Sequence, residues 1–332
     1  VAVRALLLLI PLAIACNDDP KVKITQSTSE TFEQVTATSA DILWIVDNSI
    51  SMEQEQFKVM DGAARFINTF EAADIDFHLG VATTDVSEAG AQAGVMVGDT
   101  PYLTAADADY VEQFQDRVDV GIFGDDQESG LEAAVLALTE PNVSTVNAGF
   151  LRDDARLSVI VLSDEDDCSD FGTLFDADSD STDCLAQYEE LSPVQDVVEQ
   201  LQALKSDRGQ VQFSGIIGPR DLICTTAAPG DRYTEAVEST GGVAGNICAA
   251  NYSSIMEQLG LVAGGIQYQW ELTYDAVESS LEVWILPADG ADYEVFEDEE
   301  DGWTFEADPP TLTLHGDAVP PRGASLQVSY SF

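Results

Sequence analysis

Apolar positions fall into two regimes along the chain. In the first, short continuous runs alternate with helical spacing. Ile42 to Val46 (ILWIV) is apolar throughout and Ser158 to Ser163 (SVIVLS) is apolar between its end serines, as expected of strands buried on both faces. Phe77 to Thr83 and Val211 to Ile217 predict two more such strands. Between the first two, Phe57, Met60, Ala64, Ile67 and Phe70 recur at helical spacing. They predict an amphipathic helix with those residues on its buried face. Ala108–Val118, Leu131–Leu138, Val194–Leu204, Tyr233–Ser239 and Ser253–Val262 predict further helices. Strands alternating with helices imply an α/β fold, a mostly parallel sheet flanked by helices. After about Gly264 the period changes to two. Gln267–Asp275, Leu281–Leu286, Thr311–Leu314 and Leu326–Tyr330 alternate, punctuated by Pro309, Pro310, Pro320 and Pro321. That pattern predicts a small antiparallel, β-sandwich-like domain over 265–332.

The first residues stand outside both regimes. Arg4 precedes an apolar run from Ala5 to Ala15. At that length it is too short for a membrane-spanning helix, which needs about 20 residues, and it fits the apolar region of a secretory signal. The run ends in Ala13, Ile14, Ala15 and Cys16. This resembles a bacterial lipoprotein signal, which implies a signal peptide over 1–15 and a covalent lipid on Cys16. From Asn17 to Ala40 the chain is polar without apolar periodicity, and 16–40 reads as a lipidated cysteine followed by a flexible tether. The implied location is the cell envelope, on its periplasmic or outer face, with the outer membrane favoured.

Charge narrows the partners. The 332 residues carry 61 Asp and Glu against 13 Lys and Arg, a formal net charge of −48. Phosphate binding needs basic patches, so nucleic acid is excluded as a partner. Electrostatic docking on anionic lipid is excluded on the same ground, leaving the lipid anchor as the contact with a membrane. The balance favours cations, metal ions above all.

Five cysteines make an odd number, and an odd cysteine in a secreted chain needs an explanation. Assigning Cys16 to lipid leaves Cys168, Cys184, Cys224 and Cys248, which allow three pairings. The local one, Cys168–Cys184 with Cys224–Cys248, closes two short loops, each worth about 3 kcal/mol in the chain-entropy description.

The chemistry concentrates where strands end. Ligands of α/β sheets sit beyond the carboxyl ends of the strands, and Asp47 and Asp164 both stand at such ends. Asp47 to Ser51 reads D-N-S-I-S, the D-x-S-x-S spacing of a metal-ion-dependent adhesion site. A hard divalent cation takes oxygen ligands. Asp47 offers charge, directly or through water, and Ser49 and Ser51 offer neutral hydroxyls. Asp164, in L-S-D-E-D, is placed to supply a second acid. With so few charges around it, such a cation stays open to an acidic group of a partner.

On these residues, Asp41 to Gly264 resembles the von Willebrand factor type A domain. DILWIVDNSISM, LGVATTDV, SGLEAA, LRDDARLSVIVLSDEDDCS and TGGVAGNIC resemble, more narrowly, secreted lipoproteins of the myxobacterial type. The resemblance implies a Rossmann-like fold over 41–264 that holds one divalent cation, Mg²⁺ or Ca²⁺, with Mn²⁺ a third candidate. It implies a protein or glycan partner presenting a carboxylate. The family usually adds a threonine ligand from the next loop, where this chain has G-D-D-Q-E-S-G-L-E-A-A. Glu128 is the residue expected there, with Ser129 the alternative. Ile50 stands where glycine is common. Thr83, Thr84 and Asp85 read as turn residues near the same rim.

A second acidic stretch holds Asp176, Asp178, Asp180 and Asp183. Its D-x-D-x-D start resembles a calcium loop, but Ser181 replaces the sixth-position glycine and Gln187 the twelfth-position glutamate. Catalysis finds little support. His78 and His315 are the two histidines, and the G-x-S-x-G, P-loop and H-E-x-x-H patterns are missing. The sequence therefore points to a non-enzymatic, metal-dependent adhesion lipoprotein. A metal-independent interaction module on the same fold is the alternative. A metal-dependent phosphoesterase built on Asp47, Asp164 and Asp166 is a third reading.

Overall fold

The structure is a computed structural model and describes residues 26–86, 93–124, 127–172 and 186–332. Cys16, Cys184 and the acidic stretch at Asp176, Asp178, Asp180 and Asp183 lie outside the described residues, as does the expected signal peptide. Among the described residues no helix is long and apolar enough to cross a membrane.

Five strands form the parallel sheet: β2 (Ser39–Val46), β3 (Asp76–Thr83), β4 (Arg156–Ser163), β5 (Val211–Ile217) and β6 (Ala244–Asn246), in the order β3-β2-β4-β5-β6. Helices cover both faces. On one lie α1 (Glu53–Ala72), α2 (Tyr110–Val118) and α6 (Ser253–Ala263), packed on Ile42, Trp44, Val46, Leu79, Val81, Ile160 and Leu162. On the other lie α3 (Gly130–Leu138), α4 (Val194–Gln202) and α5 (Asp231–Thr240), packed on Leu43, Ile45, Val159, Val161 and Phe213. Alternate residues of ILWIV thus face opposite helix layers, which is why the whole run is apolar. Trp44 anchors the first layer, with its ring 5.3 Å from Phe66 and 5.8 Å from Phe114.

The buried face of α1 differs from the expected one. Gln56, Val59, Ala63, Phe66, Ile67 and Phe70 are buried, whereas Phe57 is 57% exposed and Ala64 faces solvent. Two interleaved apolar stripes share this helix. The sheet contacts the stripe through Val59 and Phe66, and Gln56 turns inward because it has backbone carbonyls to bond.

The amino end of the sheet is closed by a buried ion cluster. Asp41 is fully buried. Its carboxylate accepts from the Arg152 amide and Nε, both at 2.7 Å, and Lys205 Nζ lies at 3.3 Å. His78 donates from Nδ1 to the Phe150 carbonyl at 2.8 Å and stacks on Tyr102 with ring centroids 4.0 Å apart. As a packed and bonded residue it has a structural role.

The second unit is a pair of antiparallel sheets. One has the order β1-β12-β8-β9, from β1 (Ser27–Glu33), β8 (Glu282–Leu286), β9 (Tyr293–Val295) and β12 (Ser325–Ser331). The other has the order β10-β11-β7, from β7 (Gln269–Glu271), β10 (Trp303–Ala307) and β11 (Pro310–Leu314). Trp270, Leu272, Val283, Ile285, Trp303, Leu312, Leu314, Leu326, Val328 and Tyr330 form their common core.

β1 corrects the reading of 16–40 as tether. Ser27 to Glu33 pair residue for residue with Ser331 to Ser325, and Phe32 packs on the β core. Glu30 accepts from the Thr273 amide and hydroxyl at 3.1 and 2.7 Å, and from Tyr330. STSETFE carries one large apolar residue, too few to register as a strand by alternation. The parallel-sheet unit is therefore inserted between the first strand of the β unit and the rest. The two crossings run side by side, with the Ala37 amide on the Gly264 carbonyl and the Gln267 amide on the Val35 carbonyl.

Candidate functional site

The sheet order reverses direction between β2 and β4: β2 connects outward through α1 to β3, and β4 connects the other way to β5. A crevice forms where such loops part, and the expected residues meet there. Asp47 follows β2 directly, fully buried, with its amide on the Leu162 carbonyl at 3.0 Å. Oδ1 of Asp47 accepts from the Ser49 amide at 2.8 Å. Ser49 Oγ lies 3.1 Å from Ser51 Oγ, and Ser51 donates to Asp164 Oδ1 at 3.1 Å. Asp47, Ser49, Ser51 and Asp164 thus form one contiguous oxygen cluster. Ser51 is its exposed member.

Glu128 joins the cluster from the loop before α3. It is 1% exposed, and both carboxylate oxygens are buried without a hydrogen-bond partner. Burial raises its pKa well above the usual range, and the charge of Asp47 raises it further. Thr84 and Asp47 lie near enough to influence it without reaching hydrogen-bond geometry. Burial likewise raises the pKa of Asp47. Asp164 is pushed up to about 7, first by burial and then by the charge of Asp47.

Three further residues complete the arrangement, of which the sequence named only Thr84, as a turn residue near the rim. Ser163 donates to Asp47 Oδ2 at 2.7 Å. Gln56 donates from one amide nitrogen to the carbonyls of Asp47 and Gly121, each at 2.9 Å, tying the first loop to the α2–α3 connection. Thr84 is fully buried with an unpartnered hydroxyl and belongs to the site rather than to a solvent-facing turn. For Ser163 and Gln56 the available signal is a polar residue where the strand or helix pattern calls for an apolar one.

Asp166, named in the phosphoesterase reading, and its neighbour Asp167 are buried and serve helix ends. Asp167 accepts from the Leu131 amide at 3.0 Å and pairs with Arg232, whose Nη2 lies 3.0 Å away. Asp166 accepts from the amides of Asp167 and Arg232, both at 2.9 Å; burial pushes it up to about 6. These bonds hold the amino ends of α3 and α5, and Asp166 is occupied with them. The Cys168 amide donates to the Glu128 carbonyl at 2.7 Å, so the same segment also positions Glu128. Cys168 is disulfide-bonded, and Cys224 pairs with Cys248 as expected.

The residues present fit a cation. The buried acids Asp41 and Asp167 each face arginine. Among the described residues no Lys or Arg pairs with Asp47, Glu128 or Asp164. Glu128 and Asp164, each set against the charge of Asp47, with the hydroxyls of Ser49 and Ser51 and orphaned oxygens on Glu128 and Thr84, make a donor set for a hard ion. Among the described residues no group of three or more His, Cys, Asp or Glu side chains is arranged to hold a metal by itself, so the hydroxyls of Ser49 and Ser51 are integral to this set.

By sequence, the chain matches no family profile and no curated protein. Its structure is similar to the pilus adhesin SpaC from Lactobacillus rhamnosus GG in the open conformation, at 11% identity and TM-score 0.45 over 92% of this chain and 40% of that one. It is similar to a von Willebrand factor type A protein from Catenulispora acidiphila, at 12% identity and TM-score 0.39 over 92% of this chain and 64% of that one. A third likeness is to proximal thread matrix protein 1 from the mussel byssus, at 13% identity and TM-score 0.40 over 73% of this chain and 51% of that one. The chain spans about two fifths of the SpaC chain. The sheet order and the two helix layers, rather than these likenesses, define the fold: a doubly wound α/β unit joined to a small antiparallel β unit.

Proposed function

We propose that this chain is a non-enzymatic adhesion or binding module that takes a partner carboxylate through one divalent cation. The observation that carries the reading is the meeting of Asp47, Glu128 and Asp164 without a cationic side chain, beside Ser49 and Ser51. Asp47, Ser49, Ser51, Asp164 and Glu128 would hold the ion, and Thr84 is a further oxygen within the same pocket. A bound Mg²⁺, Ca²⁺ or Mn²⁺ would supply an electrophilic position open to an acidic group. Ser163 and Gln56 orient Asp47, Ser51 keeps the cluster open to solvent, and Asp166 and Asp167 fix the neighbouring helix ends. The third acid, Glu128, favours an ion tolerant of high charge and flexible geometry, as Ca²⁺ is. In this reading the chain is exported and held in the cell envelope by a lipid on Cys16, with the outer membrane favoured.

Calorimetric titration of Mg²⁺, Mn²⁺ and Ca²⁺ into the chelator-treated protein, beside Asp47→Ala, tests the proposal. One-site binding that disappears in the variant is expected. Binding heats identical in both proteins would overturn it. No heat in the native protein would put the metal-independent interaction module in its place.

A further inference from the structure

The two units meet over a cleft of about 790 Å³, within the roughly 300–1,000 Å³ usual for ligand sites. It shares no residue with the oxygen cluster. One wall is made by α1 and α6; the other is made by β9 and the turns before β10 and after β11. Contacts between the units hold these walls in place. The Gly316 amide donates to Glu257 Oε1 at 2.6 Å, and the Leu314 amide to the Tyr268 carbonyl at 2.8 Å. Val319 packs on the cores of both units. Ala64 and Ala72, small and exposed on α1, leave the space between the walls open.

The cleft has an apolar floor and an acidic rim. Leu261, Ile266 and Pro320 are buried in the floor. Asp61 on one wall and Asp301 and Asp317 on the other are exposed. Arg65 is the one Arg or Lys among the lining residues, and it lies 3.4 Å from Glu257 Oε2. Among the described residues no Lys or Arg pairs with Asp61, Asp301 or Asp317. An acidic rim over an apolar floor suits a cationic head carried on an apolar stem, as Arg and Lys side chains are built. The sheet edge then points to a peptide. Among the described residues β9 is bonded to β8 alone, with its other edge open, and its Tyr293 lines the cleft. The charge of Asp317 reaches Tyr293 and raises its pKa beyond the effect of burial. An extended chain can add to such an edge through backbone bonds, with side-chain pockets giving selectivity.

We infer that the cleft is a second binding site, for an extended peptide segment with one Arg or Lys among apolar residues. The peptide backbone would run along β9, and the basic side chain would lie across the floor toward Asp61 and Asp317. The probe is a set of fluorescein-labelled, end-blocked hexapeptides with Arg, Lys, Gln or Glu at the third position and Leu, Val, Pro or Ser around it. Fluorescence polarisation against the full chain in EDTA keeps any cation at the oxygen cluster out of the measurement. Binding of Arg and Lys peptides with apolar flanks is expected, and it should be unchanged in Asp47→Ala. Ala64→Trp fills the cleft from an exposed helical position and should weaken binding at least about tenfold. The double variant Asp61→Asn with Asp317→Asn should weaken it about fivefold. Bound peptide should slow amide hydrogen exchange in β9. Four results would each overturn the inference: no peptide bound, Glu peptides bound as well as Arg peptides, native affinity in a folded Ala64→Trp, or exchange protection confined to segments other than β9. Displacement by spermidine as effective as by unlabelled peptide would also overturn it, in favour of a free amine. If Ala64→Trp does not fold, the Asn double variant decides, and native affinity there overturns the inference. Neither outcome depends on the metal titration.

Discussion

Ser163 Oγ donates to Asp47 Oδ2 at 2.7 Å, joining the last residue of β4 to the first residue beyond β2. This bond spans the point where the chain departs in opposite directions from two adjacent central strands. It holds the Asp47 carboxylate with one oxygen toward Ser163 and the other toward the Ser49 amide. Partners behind a ligand commonly set about 10–100-fold of metal affinity. Ser163→Ala should therefore weaken cation binding by at least tenfold while its unfolding midpoint in chelator stays near the native one. Calorimetry with parallel urea denaturation measures both.

Glu128 sets stability against binding. Its oxygens are buried and unpartnered, and its raised pKa means that folding without a cation carries an ionisation cost. Glu128→Gln removes that cost and adds an amide able to donate toward Asp47. The metal-free variant should be more stable than the native protein at neutral pH, and its cation affinity should fall. Chemical denaturation in EDTA checks the first effect, and titration with Ca²⁺ checks the second.

Both the α/β unit and the acids of its site could be read from the sequence because the interiors of buried parallel strands are apolar. The runs at Ile42–Val46 and Ser158–Ser163 fixed two strands, and with them the placement of Asp47 and Asp164. Ser49 and Ser51 followed from their spacing. What was not legible depends on partners far away in sequence. Ser163, Gln56 and Thr84 are ordinary polar residues until folding surrounds them with Asp47 and Glu128. Asp166 and Asp167 look like solvated charge until α3 and α5 present amides and Arg232. β1 has one apolar anchor, and its strand exists because β12 offers an edge.

That edge gives a prediction of its own. β12 pairs with β8 on one side and with β1 along all seven residues on the other. A chain beginning at residue 36 would leave the β12 edge and the core around Phe32 uncovered. An unpaired edge of alternating Leu326, Val328 and Tyr330 invites association. The shortened chain should lose stability in the β unit and self-associate, seen as a larger species in sedimentation, while its cation titration stays native.

Asp41 sits at the other end of β2 from Asp47, about 20 Å away at the usual rise per residue. Removing one member of a buried ion cluster commonly costs about 3–5 kcal/mol, because it leaves an uncompensated charge. Asp41→Ala would strand Lys205, which is buried, and free the Arg152 side chain from its 2.7 Å bond. The variant should unfold at markedly lower urea concentration, yet the folded fraction should bind the cation with native affinity. Loss of binding in proportion to more than the unfolded fraction would mean that the two ends of β2 are coupled.

The acids at the site also fix opposite responses to pH with and without a cation. Asp164 is pushed up to about 7 by burial and by Asp47, and burial also raises Asp47. A carboxyl whose folded pKa lies above its unfolded value stabilises the fold fully below the unfolded pKa, near 4, and loses that contribution as pH rises through the folded one. In chelator, the protein should therefore lose stability between about pH 4 and pH 7. Cation binding needs the deprotonated carboxylates, so affinity should instead rise over the upper part of that window. The large net negative charge contributes its own acid-side stabilisation, which makes Asp164→Asn the informative comparison. That variant should flatten the metal-free profile near pH 6–7 relative to the native protein, and it should bind the cation weakly at every pH. Thermal denaturation at half-unit pH steps, with EDTA and with Mg²⁺, measures both slopes. If the native and Asp164→Asn profiles in EDTA run parallel throughout, Asp164 is solvated in the metal-free protein and does not share a closed pocket with Asp47.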